Sequence, residues 1–457
     1  MAITEMAQRP GAAREGLLAR HPLVFYFILA CAGSWLVALT HVRFADGTGR
    51  LPFSWPFGSA RRHGRLTMSG SRLFTIFVGF MLGLALGCGP SRSPVADDGG
   101  GDGPAAKASL ADSEKRAAAL TEAIHTGMKR ASIPGAIVGV WREGQPPYVR
   151  AFGVRDTASG EPMTTDLSMR IGSNSRAFTV TALLQLVDQG KLRLDDPIDK
   201  YVAGVPNGKE ITLRHLAAMR SGLYNYTDEL IPKLAKDPDR QWTPEELLAI
   251  SFKHAPLFKP GTDFDYSSTN TALLGLVIEK VTGVSHQAYI DKHILKPEGL
   301  THTVFPAGAE IPSSLVHGYF RTPDGKIVDA THWNPSWGWA SGTMISTLDD
   351  MRVWTRALAM GKLISPAMKR EQHKFLPAPQ EGDGSLYGLA LENENGWIGH
   401  NGNTASYMVY PYYLPSERMT MVVMLNSGAD IPGSWLMIQD ITRIISPNNV
   451  WPGLPKE

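Results

Sequence analysis

Cysteine is almost absent from this chain of 457 residues. Cys31 and Cys88 are the only two, and both lie in apolar N-terminal stretches. The rest of the chain therefore has no thiol with which to form a disulfide or a thiolate metal site. The 13 histidines follow no H-E-x-x-H or comparable paired spacing, so we expect no catalytic metal and no cofactor.

A basic stripe is also missing from the part of the chain that looks globular. The first 72 residues hold nine arginines and three acidic residues, which leaves 36 basic and 40 acidic residues for the remainder. Lysine and arginine interleaved with aromatic residues, the pattern of a nucleic-acid surface, does not occur there. We interpret the basic N-terminus as a targeting signal and expect no nucleic-acid partner.

Two apolar segments lie near the N-terminus. Residues 23–40 follow two arginines and carry almost no charge, and a run of about 18 residues is long enough to cross a bilayer. Residues 73–87 follow a further arginine and end at Cys88, in the order typical of a bacterial lipoprotein signal. We therefore predict a lipoprotein-type signal at 68–88, with Cys88 as the lipidated residue, and leave a second membrane helix as the alternative.

The start of the chain permits several interpretations. A signal peptide works from a free N-terminus, so either Met68 is the real start or residues 1–67 are a fused extension. Residues 19–54 resemble the first membrane helix of the CPBP intramembrane protease family, whose catalytic motifs do not follow. Two membrane spans would return the domain that follows to the cytoplasmic side. A lipid anchor instead predicts a domain outside the cytoplasm, held at the cell-envelope membrane.

The remaining boundaries follow from composition. Residues 89–112 form a polar, glycine- and proline-rich linker. Residues 113–447 are longer than the roughly 250–300 residues that one hydrophobic core supports, which predicts two lobes sharing a cleft. Residues 448–457 are predicted as a tail.

Periodicity within the domain predicts an α+β fold. Apolar residues recur at helical spacing over 113–130, and a further apolar helix is predicted over 435–445. Five segments have the composition of strands, and they are residues 136–141, 148–152, 396–400, 406–410 and 419–425. Strands at both ends and helices between them indicate an antiparallel sheet built from the two termini, flanked by helices and carrying an inserted helical lobe.

The most informative segment begins with Ser173, which opens an amphipathic helix, and Arg176 follows three residues later. Residues three apart share a helix face, so the side chain at 176 is expected beside Ser173. A serine hydroxyl needs a neighbour to accept its proton, and a helix N-terminus offers N–H groups to developing negative charge. The segment resembles the nucleophile motif S-x-x-K of the serine β-lactamase and penicillin-binding protein superfamily, with arginine in place of lysine.

The resemblance implies roles for two further residues. Residues 264–275 are similar to the family's Y-x-N segment, which implies Tyr266 as the base and puts Ser268 where the family has asparagine. Arginine keeps its proton near neutral pH, so Arg176 cannot shuttle a proton but can hold the Tyr266 phenolate ionised. A serine hydroxyl at 268 replaces an amide that has two N–H donors and a carbonyl, which alters recognition of a substrate amide.

A third motif, residues 399–403, resembles the K-T-G or H-x-G edge strand that pairs with substrate backbone in the family. The resemblance implies that His400 binds a substrate carboxylate. A small residue at Gly402 would let an extended ligand lie along the strand. By the same resemblance, the backbone N–H groups of Ser173 and Asn403 form the oxyanion hole.

Taken together, the resemblance extends over about residues 118–426 and is closest to the D-alanyl-D-alanine carboxypeptidase and class C β-lactamase-like branch. It implies a β-lactamase/transpeptidase-like fold and an acyl-enzyme hydrolase. The implied partners are a D-alanyl peptide, a β-lactam or a small ester. The alternative is a binding protein on the same scaffold, which holds envelope peptides without turnover because the lysine and the asparagine are replaced.

Overall fold

The structure is a computed structural model, and it describes residues 104–306 and 312–454. The predicted membrane segment 23–40 and the signal ending at Cys88 lie outside these residues. Among the described helices, none is both long enough and apolar enough to cross a membrane.

A nine-stranded antiparallel sheet forms the centre of the domain, and its strands come from both ends of the described chain. The strand order is β2-β1-β13-β12-β10-β9-β8-β7, with β11 paired to β12. Two further pairs, β3 with β6 and β4 with β5, lie outside this sheet. The strands are β1 (Gly135–Arg142), β2 (Tyr148–Gly153), β3 (Ser168–Arg170), β4 (Tyr319–Arg321), β5 (Ile327–Asp329), β6 (Ile345–Thr347), β7 (Leu376–Pro377), β8 (Leu386–Tyr387), β9 (Glu392–Glu394), β10 (Trp397–Gly399), β11 (Gly402–Asn403), β12 (Met408–Leu414) and β13 (Met419–Leu425).

Twelve α-helical segments lie within the described residues. They are α1 (Pro104–Ala131), α2 (Asn174–Asp188), α3 (Leu213–Ala217), α4 (Tyr226–Leu230), α5 (Pro244–Ser251), α6 (Ser268–Thr282), α7 (His286–Ile290), α8 (Lys296–Glu298), α9 (Trp339–Gly342), α10 (Leu348–Met360), α11 (Pro366–Gln372) and α12 (Ile431–Ile445). Most of the segments from α2 to α9 make up a helical lobe inserted between β3 and β6.

Strand β13 explains why the sheet is covered on both faces. Every residue of Met419–Leu425 is buried, as expected when a strand is a continuous apolar run rather than an alternating one. Met424 packs into the core shared with the helical lobe. Its neighbour Val423 packs into a second core with α1 and α12. The sheet is therefore the middle layer between two sets of helices.

The predicted α+β fold, with an antiparallel sheet built from both ends of the domain, is confirmed. Strand β13 coincides with the predicted segment 419–425, and β1 extends one residue beyond 136–141 at each end. The segment predicted at 406–410 instead forms a strand at Met408–Leu414. Its first residues belong to a turn in which Ala405 has a φ of 69° and donates its N–H to Asn403 Oδ1.

The ends of the domain differ from the sequence prediction. Helix α1 starts at Pro104, within the segment predicted as a linker. Helix α12 starts at Ile431, four residues before the predicted 435, because Asp430 caps it by accepting the N–H of Gly433. Trp451, in the segment predicted as a tail, is 1% exposed and packs against Trp435 and Tyr412. The tail therefore contributes to the core.

Candidate active site

The turn before α2 presents Ser173. Strand β3 ends at Arg170, and Gly172 then adopts a φ of 52°, a left-handed conformation that glycine accepts without a steric penalty. The Asn174 N–H closes the turn on the Ile171 carbonyl at 3.2 Å. Ser173 thus occupies the N-cap position of α2, and its side chain makes no capping hydrogen bond.

Arg176 lies one turn into α2 and is almost entirely buried, with 3% of its surface exposed. Its Nη2 donates to Ser268 Oγ at 3.0 Å and to Ser173 Oγ at 3.3 Å. Its Nη1 donates to Thr271 Oγ1 at 3.2 Å and to the Ser267 carbonyl at 3.4 Å. The planar fork of donors therefore ties the turn that carries Ser173 to the start of α6.

Tyr266 completes the group around the serine. The guanidinium carbon of Arg176 lies 4.3 Å from the centre of the Tyr266 ring. An interaction with the Ser173 side chain also contributes to the pKa of Tyr266. Burial raises the pKa of Tyr266 above its usual range, while Arg176 and Ser173 lower it and the carboxyl groups of Glu381 and Glu392 raise it further. The raised pKa means that the phenol carries its proton at neutral pH.

Ser268 lies beside these residues, and its hydroxyl is engaged by the arginine. The side chain is 4% exposed and its Oγ accepts a hydrogen bond from Arg176 Nη2. The backbone N–H of Ser268 donates to Asn225 Oδ1 at 2.9 Å. In this arrangement Ser268 supports the guanidinium, rather than offering the donors and acceptor that an asparagine would present.

Strand β11 lies directly against the turn that carries Ser173. A β-carbon built on Gly172 would come 2.8 Å from the backbone nitrogen of Asn403. A β-carbon built on Gly402 would come 2.6 Å from Asn174 Nδ2 and still closer to the Ile171 carbonyl oxygen. Both glycines thus allow a close approach of two backbones, which brings the backbone of Asn403 next to Ser173.

His400 has surroundings that differ from those expected for a carboxylate-binding cation. Its side chain is completely buried, and Nδ1 faces the Asn401 carbonyl at 2.7 Å while Nε2 faces the Tyr387 hydroxyl at 3.0 Å. Burial, together with the nearby charge of Arg176, lowers the pKa of His400 to about 3. The ring is therefore neutral and both of its nitrogens have partners, an environment that does not favour the predicted contact between His400 and a substrate carboxylate.

Several carboxyl groups near the arginine were not anticipated from the sequence. Burial raises the pKa of Glu381 to about 8 and that of Glu392 to about 7, although the charge of Arg176 lowers both. Tyr387 was also missed. These residues lie in short strands and loops without a motif, so no local signal in the sequence distinguishes them.

No group of three or more histidine, cysteine, aspartate or glutamate side chains in residues 104–306 and 312–454 is arranged to hold a metal ion. The side chains gathered around Ser173 are instead hydroxyls, one phenol and one guanidinium. This set of groups can transfer protons and stabilise negative charge.

Comparison with curated proteins gives relatives of low identity. The protein flp of Staphylococcus aureus strain MRSA252 is 25% identical over 315 residues, which cover 67% of this chain and 62% of flp. The putative penicillin-binding protein PbpX of Bacillus subtilis is 27% identical over 288 residues, which cover 62% of this chain and 68% of PbpX. The match to flp thus spans less than two thirds of that relative's length.

Solved structures share the fold. A D-stereospecific amidohydrolase from Streptomyces sp. is 28% identical with a TM-score of 0.65, and the match covers 72% of this chain and 98% of the amidohydrolase. An octameric penicillin-binding protein homologue from Pyrococcus abyssi is also 28% identical, with a TM-score of 0.63 and coverage of 73% and 78%. A family model described as Beta-lactamase matches residues 120–434. The chain therefore belongs to the Beta-lactamase family and has its fold.

Proposed function

We propose that this protein is a serine hydrolase that forms an acyl-enzyme through Ser173. The observation that carries the proposal is the position of the Ser173 hydroxyl, which accepts a hydrogen bond from the guanidinium of Arg176 at 3.3 Å, while the same guanidinium lies 4.3 Å from the centre of the Tyr266 ring. A nucleophile at a helix N-terminus, close to a group that can relay its proton, is an arrangement suited to acyl transfer.

The proposed reaction begins when Ser173 Oγ attacks the substrate carbonyl carbon. As the bond to carbon forms, the Tyr266 phenol gives its own proton to the leaving nitrogen or oxygen and takes the serine proton in its place, and the negative charge on the carbonyl oxygen is met by the backbone N–H groups of Ser173 and Asn403. The bond from the carbonyl carbon to the protonated leaving group then breaks. Water repeats the sequence on the acyl-enzyme, which releases the acid and restores the serine.

Arg176 has an electrostatic part in this scheme. A guanidinium does not give up its proton near neutral pH, so it cannot act as the base. It can stabilise negative charge on Ser173 Oγ and on the Tyr266 oxygen while protons move. Since the pKa of Tyr266 is raised, the phenol starts protonated. We therefore propose that it acts as a shuttle, accepting the serine proton as its own proton leaves for the leaving group.

The substrate classes are a D-alanyl peptide, another D-amino-acid amide, a β-lactam and a small ester. The environment of His400 favours substrates that do not depend on a cation at that position, because its ring is neutral and both nitrogens are engaged. The 28% identical amidohydrolase from Streptomyces is described as D-stereospecific. We therefore place amides of D-amino acids and small esters ahead of peptides that end in a free carboxylate.

A second candidate is a binding protein that holds envelope peptides without turnover. The raised pKa of Tyr266 and the engagement of Ser268 by Arg176 favour it, because both weaken groups that an acyl-transfer enzyme uses. Loss of a positioned acid or base typically slows a reaction by about 10²–10⁴-fold. Such a loss would leave the pocket without useful catalysis.

Covalent labelling separates the two candidates. The purified protein is incubated with a fluorophosphonate probe and, separately, with labelled penicillin, and the adduct is located by intact mass and peptide mapping. The proposal expects attachment at Ser173 and none in the Ser173→Ala variant. Absence of any adduct in the wild-type protein favours the binding protein.

A lysine at position 176 gives a second test. In a working mechanism the guanidinium fork holds two hydroxyls of α6 together with Ser173, and an ammonium cannot make all of these contacts. Arg176→Lys is therefore expected to slow hydrolysis of a chromogenic D-amino-acid anilide and of a nitrophenyl ester. An increase of several orders of magnitude would mean that the natural protein is impaired.

We further propose that the protein is exported and lipidated at Cys88, which would anchor the hydrolase domain outside the cytoplasm. The proposal rests on the apolar segment 73–87 followed by a cysteine. N-terminal sequencing and intact mass of the membrane-bound protein test it. An unmodified Cys88 preceded by residues 1–67 would contradict it.

A further inference from the structure

We propose that Tyr387 and Glu392 are positioning residues for the oxyanion-binding strand. Through His400 and Asn401, they hold strand β11 against the turn that carries Ser173. This inference rests on the proposed function, in which the N–H of Asn403 binds the oxyanion.

The hydrogen-bond partners of the two His400 ring nitrogens determine which nitrogen carries the proton. The Asn401 carbonyl oxygen, 2.7 Å from Nδ1, can only accept a hydrogen bond, so the ring proton lies on Nδ1. Nε2 is therefore an acceptor, and the Tyr387 hydroxyl 3.0 Å away must be its donor. Burial raises the pKa of Tyr387 well above its usual range, which keeps this hydroxyl protonated. The ring is thus held from both sides in one tautomer.

Glu392 holds the next residue of the chain. Its Oε2 accepts the Asn401 N–H at 3.0 Å and Asn401 Nδ2 at 3.2 Å, and it also accepts the hydroxyl of Tyr412. Its Oε1 lies 3.3 Å from His400 Nδ1. The side chain of Glu392 is 1% exposed. One buried carboxyl group therefore organises both residues that precede β11.

Strand β11 packs closely against the turn that carries Ser173. Gly402 and Asn403 lie so close to the nucleophile turn that a single β-carbon at Gly172 would come 2.8 Å from the Asn403 nitrogen. An oxyanion donor works when it lies about 2.7–3.1 Å from the developing charge, and a misplacement of about 1 Å costs about 100-fold in rate. Loosening residues 400–401 would therefore displace the Asn403 N–H from the place where it is needed.

Two conservative variants test the inference. Tyr387→Phe keeps the ring that packs against Phe264 and Tyr266 and removes only the donor to His400. Glu392→Gln keeps the shape of the side chain but replaces one carboxyl oxygen with an NH2 group. An NH2 group cannot accept hydrogen bonds from the donors around it. Because Glu392→Gln leaves buried donors without an acceptor and could fail to fold, Tyr387→Phe carries the test if that occurs.

Tyr410→Phe is the matched control. Tyr410 is 4% exposed in the same sheet, and its hydroxyl makes a 2.8 Å hydrogen bond to Ser434 Oγ in the core on the α1 and α12 side. Its removal costs a buried hydrogen bond of the same kind without touching residues 400–403. The control therefore measures the effect of lost stability alone.

The experiment measures kcat and KM with a chromogenic D-amino-acid anilide and the inhibition constant of a matching boronic acid, which mimics the tetrahedral intermediate. Tyr387→Phe and Glu392→Gln are expected to lower kcat by about 10- to 100-fold. We expect KM to change less than about threefold and the boronic acid to bind more weakly in proportion to kcat/KM. Tyr410→Phe should leave all three quantities near their wild-type values.

The possible contrary results distinguish a failure of the proposed function from a failure of this inference. If the wild-type protein forms no acyl-enzyme at Ser173, the proposed function is overturned and this inference falls with it. If the wild-type protein is active but Tyr387→Phe behaves like Tyr410→Phe, the function stands and the inference is overturned. A rise in KM at unchanged kcat would also overturn it, since that result places Tyr387 in substrate binding.

Discussion

Gly172 and Asn403 touch backbone to backbone: a β-carbon on Gly172 would lie 2.8 Å from the Asn403 nitrogen and 2.9 Å from its carbonyl carbon and oxygen. The backbone atoms of Asn403 cannot move away from an added β-carbon as the end of a flexible side chain could. The turn that carries Ser173 and strand β11 therefore form one rigid unit. In the proposed mechanism, their separation determines whether the N–H groups of Ser173 and Asn403 can share one oxyanion.

Replacing Gly172 with alanine is expected to disable this unit. The residue has a φ of 52°, so the variant combines backbone strain of about 1–3 kcal/mol with displacement of Asn403. Acylation of Ser173 should slow at least about 10-fold. Gly190→Ala is the control, since Gly190 has a φ of 67° but nothing within 4 Å of an added β-carbon. Equal loss of activity in both variants would contradict the prediction.

Two adjacent serines should respond differently to removal of their hydroxyls. Ser268 Oγ accepts a hydrogen bond from Arg176, whereas Ser267 Oγ is buried with no hydrogen-bond partner among the described residues. A hydrogen bond to a charged group contributes about 1.5–3 kcal/mol. Ser268→Ala is expected to lower the free energy of unfolding by about this amount and to slow acylation, and Ser267→Ala to leave both nearly unchanged. Urea denaturation and labelling rates measure the two effects.

The stability of the domain should fall as the pH rises from about 7 to 8, a range above the unfolded histidine pKa of about 6.5 in which the neutral His400 no longer opposes this trend. The pKa of Glu381 is raised to about 8 and that of Glu392 to about 7, so the folded state keeps protons that the unfolded chain has released. The stabilisation is full below the unfolded pKa near 4.5 and is lost as the pH approaches the folded values. Each such proton contributes a slope of about 1.4 kcal/mol per pH unit.

Urea denaturation at several pH values checks this slope. The glutamine in Glu381→Gln cannot titrate. The slope of the free energy of unfolding against pH should therefore become less steep by roughly the contribution of one proton. Glu114→Gln, at an exposed position in α1, should retain the wild-type slope. A wild-type protein whose stability is constant or rises between pH 7 and 8 would contradict the assignment.

The C-terminal segment should stabilise the domain through Trp451. The ring is 1% exposed and lies 4.6 Å from Tyr412 and 5.5 Å from Trp435 between ring centres. Trp451→Ala is expected to cost about 3–5 kcal/mol, as for other large buried aromatic residues. Truncation after Leu454 retains Trp451, the Leu454 side chain that packs against the same core, and the Pro452 carbonyl that accepts from Trp435 Nε1. That truncated protein should therefore unfold close to the wild-type midpoint, and equal losses would contradict a specific role for Trp451.

The sheet was predictable because its central strands are buried on both faces. A strand such as β13 must then be apolar at every position, and a continuous run bounded by turns appears in the sequence as such. The ends of the domain were less predictable. A lone tryptophan after a helix does not reveal what it packs against, so Trp451 was assigned to a tail although it is buried in the core.

The same difference in predictability exists within the site, between contacts of residues close in sequence and contacts of residues far apart in sequence. Ser173 and Arg176 are three residues apart on one helix, so their contact follows from helix geometry alone. Tyr266 was assigned by its resemblance to a family motif, and only the fold brings it beside Ser173. Tyr387 and Glu392 belong to no motif, and their role depends on β8 and β9 being next to the strand that leads to His400.

The amino-acid order by itself determined the fold class and the contact between Ser173 and Arg176, because these depend on periodicity and on spacing within one element. Only the tertiary structure decided the protonation of the groups around these two residues. The neutral His400, the protonated Tyr266 and the proton-retaining Glu381 all result from burial and from charges on distant segments. The energy of a buried charge depends on what surrounds it in space, and a linear sequence does not contain that information.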